Sequence, residues 1–239
     1  MSTSRGLSLP VPWCRHMVPT CTRRPRGFDK YQRPRRLHFS KPTLPPDKGA
    51  TLANLTKPER RHEAQARRLR IHQAIGASAA IALRDNGLKL LSQHEGGPIS
   101  GYWPIRSEPD LRPLLDALSA MGREIALPAV VAPGQALRFH RWRPGDALVP
   151  GPLGTATPHP DRPSCVPEIM LVPLLAFDRD RRRLGYGGGF YDRTIASLRT
   201  AGRALFTIGI AYAALEVAEI PTDPWDQSLD AILTEQGWF

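Results

Sequence analysis

From Thr56 onward the chain alternates between apolar residues at helical spacing and short, dense apolar runs. Thr56-Lys57-Pro58-Glu59 has the spacing of a capping box, with a proline tolerated in the first turn. Ala66, Leu69, Gln73, Gly76, Ala80 and Leu83 then fall near one face, which predicts a helix to Arg84 that Gly76 divides. Gly96-Gly97-Pro98 breaks the pattern, and Ile99–Ile105 reads as a short strand. Asp110 suits an N-cap before Leu111, Leu114, Leu115, Leu118 and Met121, which recur at helical spacing up to Gly122. Glu124–Val131 reads as a strand stopped by Pro133-Gly134. Leu137–Trp142 reads as another, although Arg141 shares the face of Leu137 and Phe139.

Residues 143–168 are rich in Pro and Gly and predict irregular structure. Ile169–Leu175 is an apolar run bounded by charge, as a buried central strand requires. A charged turn at Asp178–Arg183 precedes a glycine loop and a helix carrying Tyr191, Ile195 and Leu198. Leu205–Ile210 and Leu229–Leu233 supply two further buried strands. Strands alternating with helices predict an α/β domain over 56–239, three layers α/β/α around a mostly parallel central sheet.

The loop Leu184-Gly185-Tyr186-Gly187-Gly188-Gly189-Phe190-Tyr191-Asp192 carries the candidate chemistry. Glycines let backbone N–H groups approach an anion, a helix N-terminus favours it, and Asp192 in the first turn offers a carboxylate to an accompanying cation. The loop thus reads as a site for a metal–phosphate complex, or as a plain strand-to-helix turn. It is not a P-loop, since Phe190 follows Gly189 where Lys is required, nor a dinucleotide fingerprint, since Phe190 takes the place of the last glycine.

The net charge of +11 is uneven. Residues 1–56 hold eleven Lys/Arg against two Asp/Glu, and eight prolines. Residues 1–55 therefore read as a basic, Pro-rich, disordered extension: a solvated tail, a stretch upstream of the true translation start, or a surface for nucleic acid or anions. The folded part shows no nucleic-acid motif, so no nucleic-acid partner is expected for it. No apolar run suits a membrane span and no N-terminal h-region suggests secretion. Three cysteines, Cys14, Cys21 and Cys165, make neither a disulfide framework nor a CxxC metal motif, so a cytoplasmic protein is expected.

Leu171-Val172-Pro173-Leu174-Leu175-Ala176-Phe177-Asp178, followed by Arg183 and the glycine loop to Asp192, resembles the 5-formyltetrahydrofolate cyclo-ligase family, also called methenyltetrahydrofolate synthetases. The resemblance continues through Ile220-Pro221, Asp226 and Leu229–Glu235, and upstream through Gly101–Ile105, Glu108 and the pattern Lys57, Arg61, Arg67-Arg68. It implies an ATP- and Mg²⁺-dependent enzyme that closes 5-formyltetrahydrofolate to 5,10-methenyltetrahydrofolate with release of ADP and phosphate; a monomer is expected, although the sequence does not set the oligomeric state. The γ-phosphate would activate the formyl oxygen, and N10 would then attack the formyl carbon. That chemistry asks for positioning and charge stabilisation rather than a protein nucleophile, and no catalytic side chain is assigned.

By the same resemblance, Lys57, Arg61, Arg183, Leu184, Gly185, Tyr186, Gly187, Gly188, Gly189, Phe190 and Tyr191 would contact ATP. Trp103 and Glu108, with residues 186–190, would contact the folate, the carboxylate accepting from the pterin's N–H groups. Asp192 and Asp230 would hold Mg²⁺. Bland alternatives stand beside each: a solvated helix face for Lys57 and Arg61, a core position for Trp103, a loop glutamate, and capping roles for the aspartates. The family often carries basic residues where this loop has Tyr186 and Gly188, so Arg183, Arg193, Lys57 or the metal would have to compensate. A homologue binding folate or nucleotide without turnover is the alternative reading, with nucleic-acid binding through the tail behind it.

Overall fold

The computed structural model describes residues 55–239; the extension, its expected disorder, and Cys14 and Cys21 lie outside the described residues. The first helix, α1 (Lys57–Leu91), starts where the capping box places it. The Glu59 carboxylate accepts the Thr56 N–H at 2.8 Å and the Thr56 hydroxyl at 2.6 Å. Gly76 does not divide α1, and the helix runs beyond Arg84 because Leu90 and Leu91 seat in the core. Its buried stripe also departs from the expected one: Ala64, Arg68, Ile71, Ala79, Ala80, Leu83 and Gly87 are buried, while Leu69 is 48% exposed. A buried arginine displaces the stripe that apolar spacing alone suggests.

The remaining elements are β1 (Ile99–Ser100), α2 (Arg112–Ala120), β2 (Ile125–Ala129), β3 (Arg138–Trp142), β4 (Leu148–Pro150), β5 (Ala156–Pro158), β6 (Ser164–Cys165), β7 (Ile169–Pro173), β8 (Ala176–Phe177), β9 (Arg183–Leu184), α3 (Phe190–Thr200), β10 (Phe206–Ile210), β11 (Ala231–Thr234) and β12 (Gly237–Trp238). Asp110, expected as the N-cap of α2, lies one residue before the actual N-cap Leu111, and its Oδ1 accepts the Arg112 N–H at 2.9 Å. Two expectations need correction. The strand expected over 99–105 is only two residues long. The stretch expected to be irregular instead contains the β4–β5 hairpin and β6, which pairs with β3.

Among the described residues, eight strands form one sheet in the order β12-β11-β10-β7-β1-β2-β3-β6. The run from β11 to β2 is parallel, and β12, β3 and β6 are antiparallel at the edges. Parallel strands buried on both faces read as continuous apolar runs, which is why β7 was legible. Ile169 and Leu171 point into one core with Leu83, Leu114, Leu115, Ile208 and Leu233; Met170 and Val172 point into the other with Ile195, Tyr212 and Ile232. The C-terminal half of α1 and α2 thus cover one face, and α3 covers the other, where Ile71 and Ala79 of α1 also pack, giving the expected three-layer α/β/α architecture.

The fully buried Leu171 lies at the centre of this arrangement. Leu171→Ala should lower stability by about 2–5 kcal/mol, measured by urea unfolding with the slope unchanged. A loss within about 0.5 kcal/mol would mean that β7 is not the packing centre.

Candidate functional site

In an open α/β sheet, ligands bind beyond the carboxyl ends of the parallel strands. A cavity of about 800 Å³ opens there, bordered by Pro128 at the end of β2, Tyr102 beyond β1, Pro173 at the end of β7, the first turn of α1 and the glycine loop. Of the residues assigned from the sequence, Lys57, Arg61, Trp103, Glu108, Arg183, Gly185 to Phe190, Tyr191 and Asp192 all line it. Leu184 does not, being buried in β9 behind the loop.

The loop's glycines are needed where the backbone turns left-handed. Gly187 has φ +97° and a Cβ there would lie 3.0 Å from the Arg61 guanidinium carbon. Gly189, with φ +63°, is the N-cap of α3, so the loop delivers its backbone directly into a helix N-terminus. Arg61 donates through Nε to the Gly185 carbonyl at 3.1 Å, and the Arg193 guanidinium lies 5.3 Å from the centroid of the Phe190 ring. Positive charge thus borders the loop from α1 and α3 although positions 186 and 188 carry none.

One wall is a charged clasp. Lys57 donates to Asp223 Oδ2 at 2.5 Å and Asp226 Oδ2 at 3.2 Å. Burial opposes the lysine's charge, but these hydrogen bonds and the two carboxylates outweigh it and hold its pKa above the usual value. Deeper in, Arg183 donates to Asp192 Oδ1 at 2.6 Å and to the Gln227 carbonyl, while the Gln227 N–H reaches the same Oδ1 at 3.0 Å. Asp192 Oδ2 accepts no hydrogen bond from the described residues.

The opposite wall holds Glu108, 4% exposed. Its Oε2 accepts the Ile105 N–H at 3.0 Å and its Oε1 the Tyr186 hydroxyl at 2.8 Å. Burial pushes its pKa up, and these donors with the Arg68 and Arg106 charges oppose that without cancelling it. Trp103 is half-buried, edge-on to Trp142 with centroids 5.7 Å apart, and the Arg112 guanidinium lies over its ring. It combines the core position with an apolar surface on the cavity.

Asp230 is not brought to this site. It precedes β11 at the amino ends of the parallel strands, where Oδ2 accepts from the Thr207 N–H at 2.8 Å, the Thr207 hydroxyl at 2.7 Å and Arg199 at 3.3 Å. The expected pairing of Asp192 with Asp230 in one metal site is therefore not formed: α3 carries Asp192 at one end of the sheet and reaches Asp230 only at its other end. Among the described residues no three His, Cys, Asp or Glu side chains converge as a metal cage. Cys165 lies at the sheet edge, away from the cavity. Sequence reasoning missed Arg68, Arg106, Asp223 and Trp225 as parts of the site. Arg68 stands in the sequence only within a basic pattern, and the others sit in loops whose spacing carries no signal.

The sequence profile of the 5-formyltetrahydrofolate cyclo-ligase family matches residues 53–235. A curated 5-formyltetrahydrofolate cyclo-ligase from Haemophilus influenzae is 30% identical over 161 residues, covering 65% of this chain and 84% of that one. One from Mycolicibacterium smegmatis is 34% identical over 176 residues, covering 69% and 86%. Among solved structures, the 5,10-methenyltetrahydrofolate synthetase of Aquifex aeolicus superposes with a TM-score of 0.64 at 26% identity, covering 77% of this chain and 92% of that one. That of Mycoplasma pneumoniae, at 22% identity and a TM-score of 0.61, covers 76% and 99% and shows the shared fold. With the profile spanning nearly the whole described region and the fold shared, this chain belongs to the 5-formyltetrahydrofolate cyclo-ligase family.

Proposed function

We propose that this protein converts 5-formyltetrahydrofolate to 5,10-methenyltetrahydrofolate with ATP and Mg²⁺, releasing ADP and phosphate. One observation carries the reading: a single cavity presents a buried carboxylate beside an apolar ring on one wall, and a glycine loop ringed by cations on the other. Glu108 suits the N–H donors of a pterin and Trp103 its flat face. The loop N–H groups, the α3 N-terminus, Arg61, Arg183 and Lys57 suit a triphosphate.

In this reading the formyl oxygen attacks the γ-phosphorus and the bond to the β-phosphate oxygen breaks, ADP leaving with that electron pair. The phosphorylated carbon is a better electrophile. N10 attacks it, loses its proton, and phosphate departs with the C–O electrons. The chain's part is to hold the two substrates in one orientation and to balance charge spreading over the phosphates. Asp192 fits a Mg²⁺ ion: it lines the cavity, its Oδ2 accepts no hydrogen bond from the described residues, and Mg²⁺ bound with phosphates commonly uses one or two carboxylates and keeps its waters. The ion would supply neutralisation of phosphate charge. Asp230, with its carboxylate engaged elsewhere, has no part in this proposal.

Purified protein supplied with 5-formyltetrahydrofolate, ATP and Mg²⁺ should develop the near-ultraviolet absorbance of the methenyl product, and a chelator should stop it until Mg²⁺ is restored. A folded sample showing no rise would refute the reading. Asp192→Asn keeps an acceptor for Arg183 and Gln227 but removes the charge; turnover should fall by about 10²-fold or more with the circular dichroism spectrum unchanged. Gly187→Ala should strain the loop by about 1–2 kcal/mol and displace Arg61. Its KM for ATP should rise well above any change in KM for the folate, and an equal rise in both would remove Arg61 from the nucleotide side.

A further inference from the structure

Arg68 is 1% exposed, the most enclosed cation near the cavity, and does not itself line it. It projects from α1 into the space between three loops. Its Nε donates to Ser107 Oγ at 3.1 Å and Nη1 to the Leu174 carbonyl at 3.4 Å, and Nη1 stands 4.0 Å from Glu108 Oε1. The guanidinium carbon is 5.3 Å from the centroid of the Tyr186 ring. Arg68 thus touches the chain on either side of Glu108's wall and the aromatic residue that donates to Glu108. A charge this deeply buried is costly unless it is paired and hydrogen-bonded, and the anion it finds here is Glu108.

We infer that Arg68 is a positioning residue for substrate recognition, holding Glu108 as a charged, oriented acceptor for the folate's N–H donors, with the Tyr186 hydroxyl as its partner in that task. This rests on the folate reading of the Glu108 wall. Tyr186 occupies Oε1 of Glu108 while also belonging to the glycine loop, so the same hydroxyl joins the two halves of the cavity. The groups facing Glu108 are Arg68 from α1, Arg106 and the Ile105 N–H from its own loop, Tyr186 from the glycine loop, Tyr191 from α3 and Tyr102 beyond β1. Burial holds all three tyrosines well above their ordinary pKa, so they stay neutral near neutral pH and can only donate or lie by. Glu108 itself is raised by burial, and Arg68 is among the groups that restrain the rise. Protonation as pH falls would leave the carboxyl with less capacity to accept, so folate affinity is lost on the acid side. Removing Arg68 moves that loss to higher pH.

The experiment measures kcat and KM for 5-formyltetrahydrofolate across about pH 5 to 9 in the full-length wild type and in Arg68→Met, Arg68→Lys and Tyr186→Phe. For Arg68→Met, KM at neutral pH should rise about tenfold or more, with kcat within about threefold, and should recover as pH rises. Arg68→Lys should restore most of the affinity, and Tyr186→Phe, which removes another restraint on the same carboxyl, should shift the profile the same way. A KM profile for Arg68→Met parallel to the wild type overturns the inference. If Arg68→Met does not fold, Arg68→Gln, which keeps a donor but not the charge, is read in its place, and a KM profile parallel to the wild type again overturns the inference. Carbon NMR titration of the Glu108 carboxyl, without substrate, separates the two readings. A midpoint unmoved in the variants of an active enzyme overturns the role of Arg68 while the proposed function stands. A midpoint that moves in a protein with no turnover overturns the function while the linkage between Arg68 and Glu108 stands.

Discussion

The parallel pairing of β7 with β1 and β10 is the constraint on which the rest depends. Parallel strands cannot be joined by tight turns, so each must be followed by a crossover, and the crossovers cover both faces. The alternation of Ile169, Met170, Leu171 and Val172 into two separate cores is the result. Because β11, β10, β7, β1 and β2 all point the same way, the chain leaves the sheet at one edge. Loops from distant parts of the sequence meet there without any of them being near another in the chain.

Helix α1 links that sheet to the chemistry. Its C-terminal half is anchored by Leu83, Leu90 and Leu91 in one core, and Ile71 and Ala79 pack into the other. This fixes the N-terminal turns at the cavity, where Lys57, Arg61 and the buried Arg68 stand at successive levels. The glycine loop answers from the opposite side: Gly187 leaves room for Arg61, and Gly189 turns the chain into α3 so that Asp192 faces the cavity from the first turn. Ion pairs join these parts, Lys57 with Asp223 and Asp226, and Arg183 with Asp192.

Much of the fold was legible. The buried strands β7 and β10 stood out as apolar runs, α2 by its leucine spacing, and α3 by its glycine loop and periodic apolar residues. The errors have particular causes. Gly76 leaves α1 intact because the residues around it are packed, and packing overrides propensity. The stripe on α1 shifted because Arg68, polar by type, is buried beside a carboxylate. The 143–168 stretch formed strands because β3 offered an edge to β6, which composition does not announce.

The sequence by itself determined the alternation of helix and strand, the start of α1 at its capping box, and the glycine loop with its aspartate, since each depends on residues adjacent in the chain. It also singled out Lys57, Arg61, Trp103, Glu108 and Arg183, through a resemblance carried by local motifs, and these residues line one cavity. Only the tertiary structure decided which of these meet. It sends Asp230 to the amino ends of the strands, away from Asp192, because α3 runs antiparallel to the sheet and separates them. It joins Tyr186 to Glu108 and Arg68 to both, because the parallel sheet delivers three loops and one helix to a single edge. Spacing along a chain fixes local geometry; convergence in space is set by how the sheet is wound.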